Sequence, residues 1–158
     1  VLGVELSDLA CKDIFADANL TAKVHHSEDF THYQHNDIDI LCGDFFNLKR
    51  DHVSKIKAVY DRAALIALPA PMRQKYVAHL NNILPSHCKL LLVSLEYPQS
   101  EMQGPPFSVG NDEIKSLFST TWDITTITEN ILGRDDPFSK RKGLSDMKEC
   151  IYLLRKKE

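Results

Sequence analysis

Residues 88–95, C-K-L-L-L-V-S-L, constrain the chain most. A run this short and this nearly continuous in apolar residues reads as a strand covered on both faces. Such strands belong to sheets that carry helices on their faces, so the flanking sequence is expected to alternate strands with helices.

It does so in both directions. Residues 1–6 read as a short strand ending in an acid, and Ser7 reads as the cap of a following helix with Leu9, Ile14 and Phe15, together with Ala10 and Ala18, on its apolar stripe. Residues 21–34 are polar and rich in His and Asp, with Phe30 and Tyr33 as strand residues. The Asn36-Asp37 turn then makes this a hairpin-like excursion leading into a second core strand at 38–42. Gly43 and Asp44 end that strand, and 45–48 form a tight turn. Residues 56–60 are the next apolar run, stopped by Asp61 and Arg62. Residues 63–68 are helix-prone, and Pro69 and Pro71 break that helix before an amphipathic stretch over 72–84 with Tyr76, Leu80, Ile83 and Leu84 on one side. Beyond the 88–95 run come a loop over 97–110, a short helix at 112–118, an alternating strand at 122–128 and a last strand at 147–154. The expected architecture is a single α/β domain over 1–158 with a mostly parallel sheet and an antiparallel end.

Composition removes several classes of function. With 19 Lys and Arg against 22 Asp and Glu, the formal net charge is −3, so no overall basic field attracts nucleic acid or an anionic membrane surface. A small-molecule or protein partner is expected instead. No apolar run approaches the roughly 18–20 residues of a membrane span, and no segment reads as a signal peptide. Cys11, Cys42, Cys88 and Cys150 are far apart and form no C-x-x-C pair, as expected of free thiols in the cytoplasm.

In sheets of this kind, ligands sit outside the carboxyl ends of the strands. Glu5 stands at the strand-end position where an acid accepts from ribose hydroxyls in nucleotide-binding α/β folds; a solvated strand terminus is the plainer alternative. The partner of such an acid is a glycine-rich turn about 20 residues upstream, which falls before Val1, and no G-x-G-x-x-G occurs later. Asp44 can accept from an exocyclic amine and Phe45 can offer an apolar wall to a purine, or the two are simply a strand end beside core phenylalanines. Asp61 and Arg62 form a charged pair at a strand's carboxyl end: Arg62 suits a carboxylate as a fork, or the two are a structural ion pair.

Five ordered segments carry a family resemblance: V-L-G-V-E-L-S at 1–7, C-G-D-F-F at 42–46, Y-D-R-A-A-L-I-A-L-P at 60–69, M-R-Q-K-Y-V-A-H-L at 72–80 and G-P-P-F-S-V at 104–109. Together they resemble the bacterial thiopurine S-methyltransferases across nearly the whole chain. The resemblance implies a class I, Rossmann-like fold. It also implies methyl transfer from S-adenosylmethionine to the sulfur of aromatic or heterocyclic thiols, and relatives are associated with detoxifying selenium and tellurium compounds. By carry-over, Glu5 holds the ribose, Asp44 and Phe45 the adenine, and Arg62 the polar end of the cofactor or the thiopurine. Pro105, Pro106 and Phe107 belong to a loop over the acceptor. A sulfonium methyl is already activated and heterocyclic thiols ionise easily, so alignment matters more than a strong base. Asp61, or a water held by Arg62, is the candidate proton acceptor.

Other constellations carry less. His25, His26, His32 and His35 with Asp29, Asp37 and Asp39 match no zinc spacing, and no metal site is expected. Lys140, Arg141 and Lys142 fall near a basic segment of the family without a fixed correspondence. Arg155, Lys156 and Lys157 read as a charged end, and Trp122 as packing.

Relatives of this type carry, ahead of the segment matching Val1, a lid-like helix, a first strand and the glycine-rich turn. The chain is therefore expected to be an N-terminally truncated portion of the domain. The missing first strand would lie between the strands at Val1 and Ile56, leaving two unpaired edges. Two functions follow as expectations: an enzyme of the thiopurine type, or a non-catalytic remnant that binds or self-associates through an exposed sheet edge. Because Glu5, Asp44 and Phe45 grip only the nucleoside end, these 158 residues are expected to bind S-adenosylmethionine weakly.

Overall fold

Local chemistry sets the first boundaries. Ser7 adopts extended backbone, φ −86° and ψ 115°, and its hydroxyl accepts from the Ala10 amide, so the helix starts at Asp8. Such a cap contributes about 1 kcal/mol. The computed structural model describes residues Val1–Glu158, which divide into two compact units, Val1–Lys49 and Arg50–Glu158.

In the first unit, β1 (Leu2–Glu5) runs parallel to β4 (Ile38–Cys42), with Glu5 in register with Cys42. Between them lie α1 (Asp8–Asp17) and the expected excursion, an antiparallel hairpin of β2 (Lys23–His26) and β3 (Thr31–His35). Asn36, at φ 49°, turns β3 into β4, and the sheet order is β1-β4-β3-β2. Cys11 and Phe15, one helical turn apart, pack with Tyr33 and Ile40. Leu9 and Ile14, expected on the same stripe, are exposed; the inward face holds only the residues at the Cys11–Phe15 spacing. Gly43 lets the chain leave β4 against the hairpin, because a Cβ there would lie 2.6 Å from the Asp29 carbonyl oxygen.

The second unit opens with α2 (Arg50–Val53) and β5 (Ala58–Arg62), then α3 (Ala64–Ala67), α4 (Ala70–Ile83) and β6 (Lys89–Glu96). It continues with α5 (Asn111–Phe118), β7 (Trp122–Leu132), α6 (Pro137–Lys142) and β8 (Met147–Lys156). The strand order is β5-β6-β8-β7. Pro69 and Pro71 start α4 rather than only breaking what precedes it: Pro69 is its N-cap and Pro71 lies in its first turn, where an amide donor is not needed. At the far end Lys156 belongs to β8 and is buried, and its ammonium donates to the carbonyls of Asn81 and Leu84. It is thus a cation on the carboxyl end of α4 rather than a loose charged tail.

The α/β class is as expected, but the strand pairing differs from a mostly parallel sheet. Two pairings are parallel, β1 with β4 and β5 with β6, while four are antiparallel. Parallel pairs need a helical crossover, and only α1 and the α3–α4 pair serve the joined strands; hairpin and meander connections make the rest.

Coverage of β6 also differs. Residues alternate between the two faces of a sheet. On one face Asp61, Leu90, Leu92, Ser94, Cys150, Tyr152 and Leu154 are each at most 2% exposed. On the other, Tyr60 is 63% and Leu91 36% exposed. Within this unit the apolar run over 88–95 is covered on one face and only partly covered on the other, where Val93 is buried while Lys89 and Leu91 are exposed. No helix is long and apolar enough to cross a membrane.

Candidate functional site

In the first unit the expected nucleoside-binding residues gather at the carboxyl ends of β1 and β4. One oxygen of Glu5 accepts from the Ser7 amide at 2.8 Å, which holds the carboxylate at the end of the strand. Asp44 lies two residues past Cys42, the register partner of Glu5. Its carboxylate accepts from the Phe46 amide at 2.9 Å and caps a single 3-10 turn, Phe45–Asn47. The half-buried Phe45 ring meets Phe46 edge-on at 5.8 Å.

In the second unit, Arg62, Pro105 and Pro106 line one cavity of about 380 Å³. Its walls are otherwise apolar, from Ala63, Ile66, Ala67, Val93 and Leu95, except for one carboxylate, Glu149. Sheet register explains the assembly: Arg62 pairs with Val93, and Leu95 two residues on pairs with Glu149, so all four share the less covered face. Arg62 is exposed and makes no ion pair.

The loop that supplies the prolines is held from below. The Phe107 amide donates to the Ile66 carbonyl at 2.6 Å and the Tyr97 hydroxyl to the Pro106 carbonyl at 2.5 Å. Gly104, at φ 83°, folds over the Phe107 ring, where a Cβ would come within 2.5 Å of it. Phe107 does not line the cavity; its ring lies 5.8 Å from the guanidinium of Arg73. Arg73 is 5% exposed, forks onto Glu113 at 2.7 and 3.1 Å and donates to the Leu68 carbonyl at 2.8 Å.

Asp61 sits differently from a cleft-facing acid. It is 2% exposed, with one oxygen accepting from the Ala64 and Leu65 amides at 3.0 and 3.2 Å and the other from the Tyr76 hydroxyl at 2.9 Å. Burial pushes its carboxyl above the usual carboxylate range, opposed by those three bonds, and pushes the Tyr76 phenol well up. Asp61 therefore braces the β5–α3 turn, where Ala63 takes a left-handed conformation at φ 86°. Adjacent strand residues point to opposite faces, so Asp61 turns inward where Arg62 turns outward.

The histidines of the first unit are engaged locally: His25 stacks on His32 at 4.2 Å, His26 meets the Thr31 hydroxyl at 3.0 Å, and His35 the Thr21 carbonyl at 2.8 Å. No group of three or more His, Cys, Asp or Glu side chains converges on a metal position. Lys140, Arg141 and Lys142 are exposed on α6. Sequence reasoning missed α6, Arg73 and Glu149. The helix had a signal, Asp136-Pro137 at its start and a left-handed Gly143 at its end.

Acids thus stand at the carboxyl ends of parallel strands in the first unit, and an apolar pocket lies beside the carboxyl end of β5 in the second. The fold is that of the S-adenosylmethionine-dependent methyltransferases. The chain is similar to such a protein from Methanosarcina mazei, with a TM-score of 0.64 at 12% identity over 99% of this chain and 82% of the other. It is similar also to the YcgJ protein of Bacillus subtilis, with a TM-score of 0.66 at 11% identity over the same shares. More narrowly, the thiopurine S-methyltransferase family model matches residues 1–157, and the chain belongs to that family. It is 48% identical to the thiopurine S-methyltransferase of Marinobacter nauticus over 99% of this chain and 72% of that relative. Against the enzyme of Pseudomonas aeruginosa it is 41% identical over 99% and 72%.

Proposed function

We propose that the protein transfers a methyl group from S-adenosylmethionine to the sulfur of aromatic or heterocyclic thiols. One observation carries this reading: Arg62, Pro105 and Pro106, far apart in sequence, line a single mostly apolar cavity. A planar thiol suits such walls, and a guanidinium at the rim stabilises the thiolate over the thiol.

The residues fit the nucleoside end of the cofactor. Glu5 presents a carboxylate oxygen to ribose hydroxyls, and Asp44 and Phe45 suit the adenine. No G-x-G-x-x-G turn in the 158 residues addresses the other end, which supports weak binding of the cofactor by these residues alone. When bound, S-adenosylmethionine supplies an activated methyl. The chain's own part is to hold the acceptor: Arg62 keeps its sulfur anionic, the prolines, Ile66 and Leu95 exclude water around its ring, and Asp61 positions Arg62 through the β5–α3 turn.

The test is S-methylation of an aromatic thiol at millimolar S-adenosylmethionine, corrected for the reaction without protein. Product formation that falls at least about tenfold in Arg62→Ala supports the reading; unchanged turnover removes Arg62 from it. A second reading, an interaction module without catalysis, is favoured by the outer edge of β5, which pairs with no strand of its sheet, and by the exposed Tyr60 on its face. Concentration-dependent self-association without methyl transfer supports that reading instead.

A further inference from the structure

The geometry points to Glu149 as a specificity-determining residue, one that selects aromatic thiols bearing a hydrogen-bond donor on the side of the ring away from sulfur. This rests on the cavity being the acceptor site. The cavity holds two charged groups in an otherwise apolar lining, Arg62 and Glu149. They belong to strands separated by β6 and are offset by two residues along it, because Arg62 pairs with Val93 and Leu95 with Glu149. With strands about 4.8 Å apart and a rise of about 3.3 Å per residue, their Cα atoms lie roughly 12 Å apart. No ion pair joins them, and neither takes another charged partner.

Two opposite charges left unpaired in the lining of one apolar cavity, with their Cα atoms roughly 12 Å apart, describe a complementary ligand. Its anionic pole belongs at Arg62, where a thiolate is stabilised. Its other pole belongs at Glu149, which as a carboxylate accepts hydrogen bonds and repels a second anion. An aromatic ring spans the apolar interval between them. A ring N–H or an exocyclic amine remote from sulfur satisfies Glu149, whereas a purely hydrocarbon ring leaves a half-buried carboxylate desolvated without compensation. Glu149 thereby sets which end of the acceptor enters first and which acceptors are favoured.

The test uses two probes of equal size, para-aminothiophenol and para-thiocresol, which differ in whether the group opposite sulfur donates. Binding to the chain is followed by the methyl resonances of Val93, Leu95 and Ile66, with no cofactor present. The expected result is about tenfold tighter binding of the amino compound, the scale of one hydrogen bond to a charged group. In Glu149→Leu the preference disappears or reverses, and in Glu149→Gln, which keeps an acceptor oxygen, part of it remains. Both variants are checked for an unchanged amide spectrum, and Glu149→Gln decides the matter if Glu149→Leu is not folded. An equal preference in wild type and variants overturns the role of Glu149 while leaving the acceptor site standing. Failure of both probes to perturb these methyls overturns the acceptor site and the role together.

Discussion

Replacing Asp61 with alanine should destabilise the protein by about 3 kcal/mol. Two amides and one phenol donate to its carboxylate. Ala64 is exposed, so its amide recovers a water partner at little cost. The Leu65 amide and the Tyr76 hydroxyl are buried, and each loses its hydrogen bond to the carboxylate at about 1–3 kcal/mol. Relief from burying a charge offsets part of that sum, which leaves about 3. With a urea dependence of about 2 kcal/mol per molar, the unfolding midpoint drops by about 1.5 M. Asp61→Asn keeps the acceptor oxygen and the shape and should cost about 1 kcal/mol. The pH dependence carries a sign. Folding raises the Asp61 carboxyl above its ordinary 3.8, so the folded state holds the proton more tightly. This contribution is fully present below pH 3.8 and is lost as pH rises through the higher folded value. Wild type should therefore lose stability relative to Asp61→Asn across that acid window. A midpoint shift for Asp61→Ala below about 0.3 M refutes the bracing role, and a wild-type curve that instead gains on Asp61→Asn there refutes the upward push of burial on its carboxyl.

Other outcomes follow from the same geometry. Arg62→Ala, at an exposed position, should change unfolding free energy by less than about 0.5 kcal/mol by urea titration, so a larger loss shows a structural role. Ser7→Ala removes the α1 cap and should cost about 1 kcal/mol in the same assay. Among the four free cysteines Cys11, Cys88 and Cys150 are buried, and burial pushes the Cys11 thiol up to about 12. A chromogenic disulfide should accordingly react first at Cys42, which peptide mapping identifies. Arg73→Ala frees Phe107 and should weaken aromatic thiol binding several-fold by loosening the proline loop, with Arg73→Lys in between because lysine cannot fork onto Glu113.

The order of elements was legible because their signals are local. Ser7 caps where a serine before an apolar stripe should, and the Asn36 turn falls between two strands. The site was legible only in part. Asp61 and Arg62 look alike as a charged pair at a strand end, and strand alternation, which was available, sends them to opposite faces. Glu149 had no local signal: it enters the cavity only because β8 pairs in a register that sets it opposite Leu95. Lys156 was read as a tail for the same reason, since its partners, Asn81 and Leu84, are 75 and 72 residues away. The uneven cover of β6 is not legible in the sequence, because an apolar run reports what its residues prefer and not which neighbours cover them.

The proposed role of the cavity at Arg62 is to hold a thiol acceptor for methylation. The most direct measurement is mass-spectrometric detection of the S-methyl product from para-aminothiophenol and millimolar S-adenosylmethionine, comparing wild type with Arg62→Ala at matched folded concentration. Product above the protein-free rate is expected for wild type, and at least about tenfold less for the variant. No product from folded wild type, or equal product from both, contradicts it.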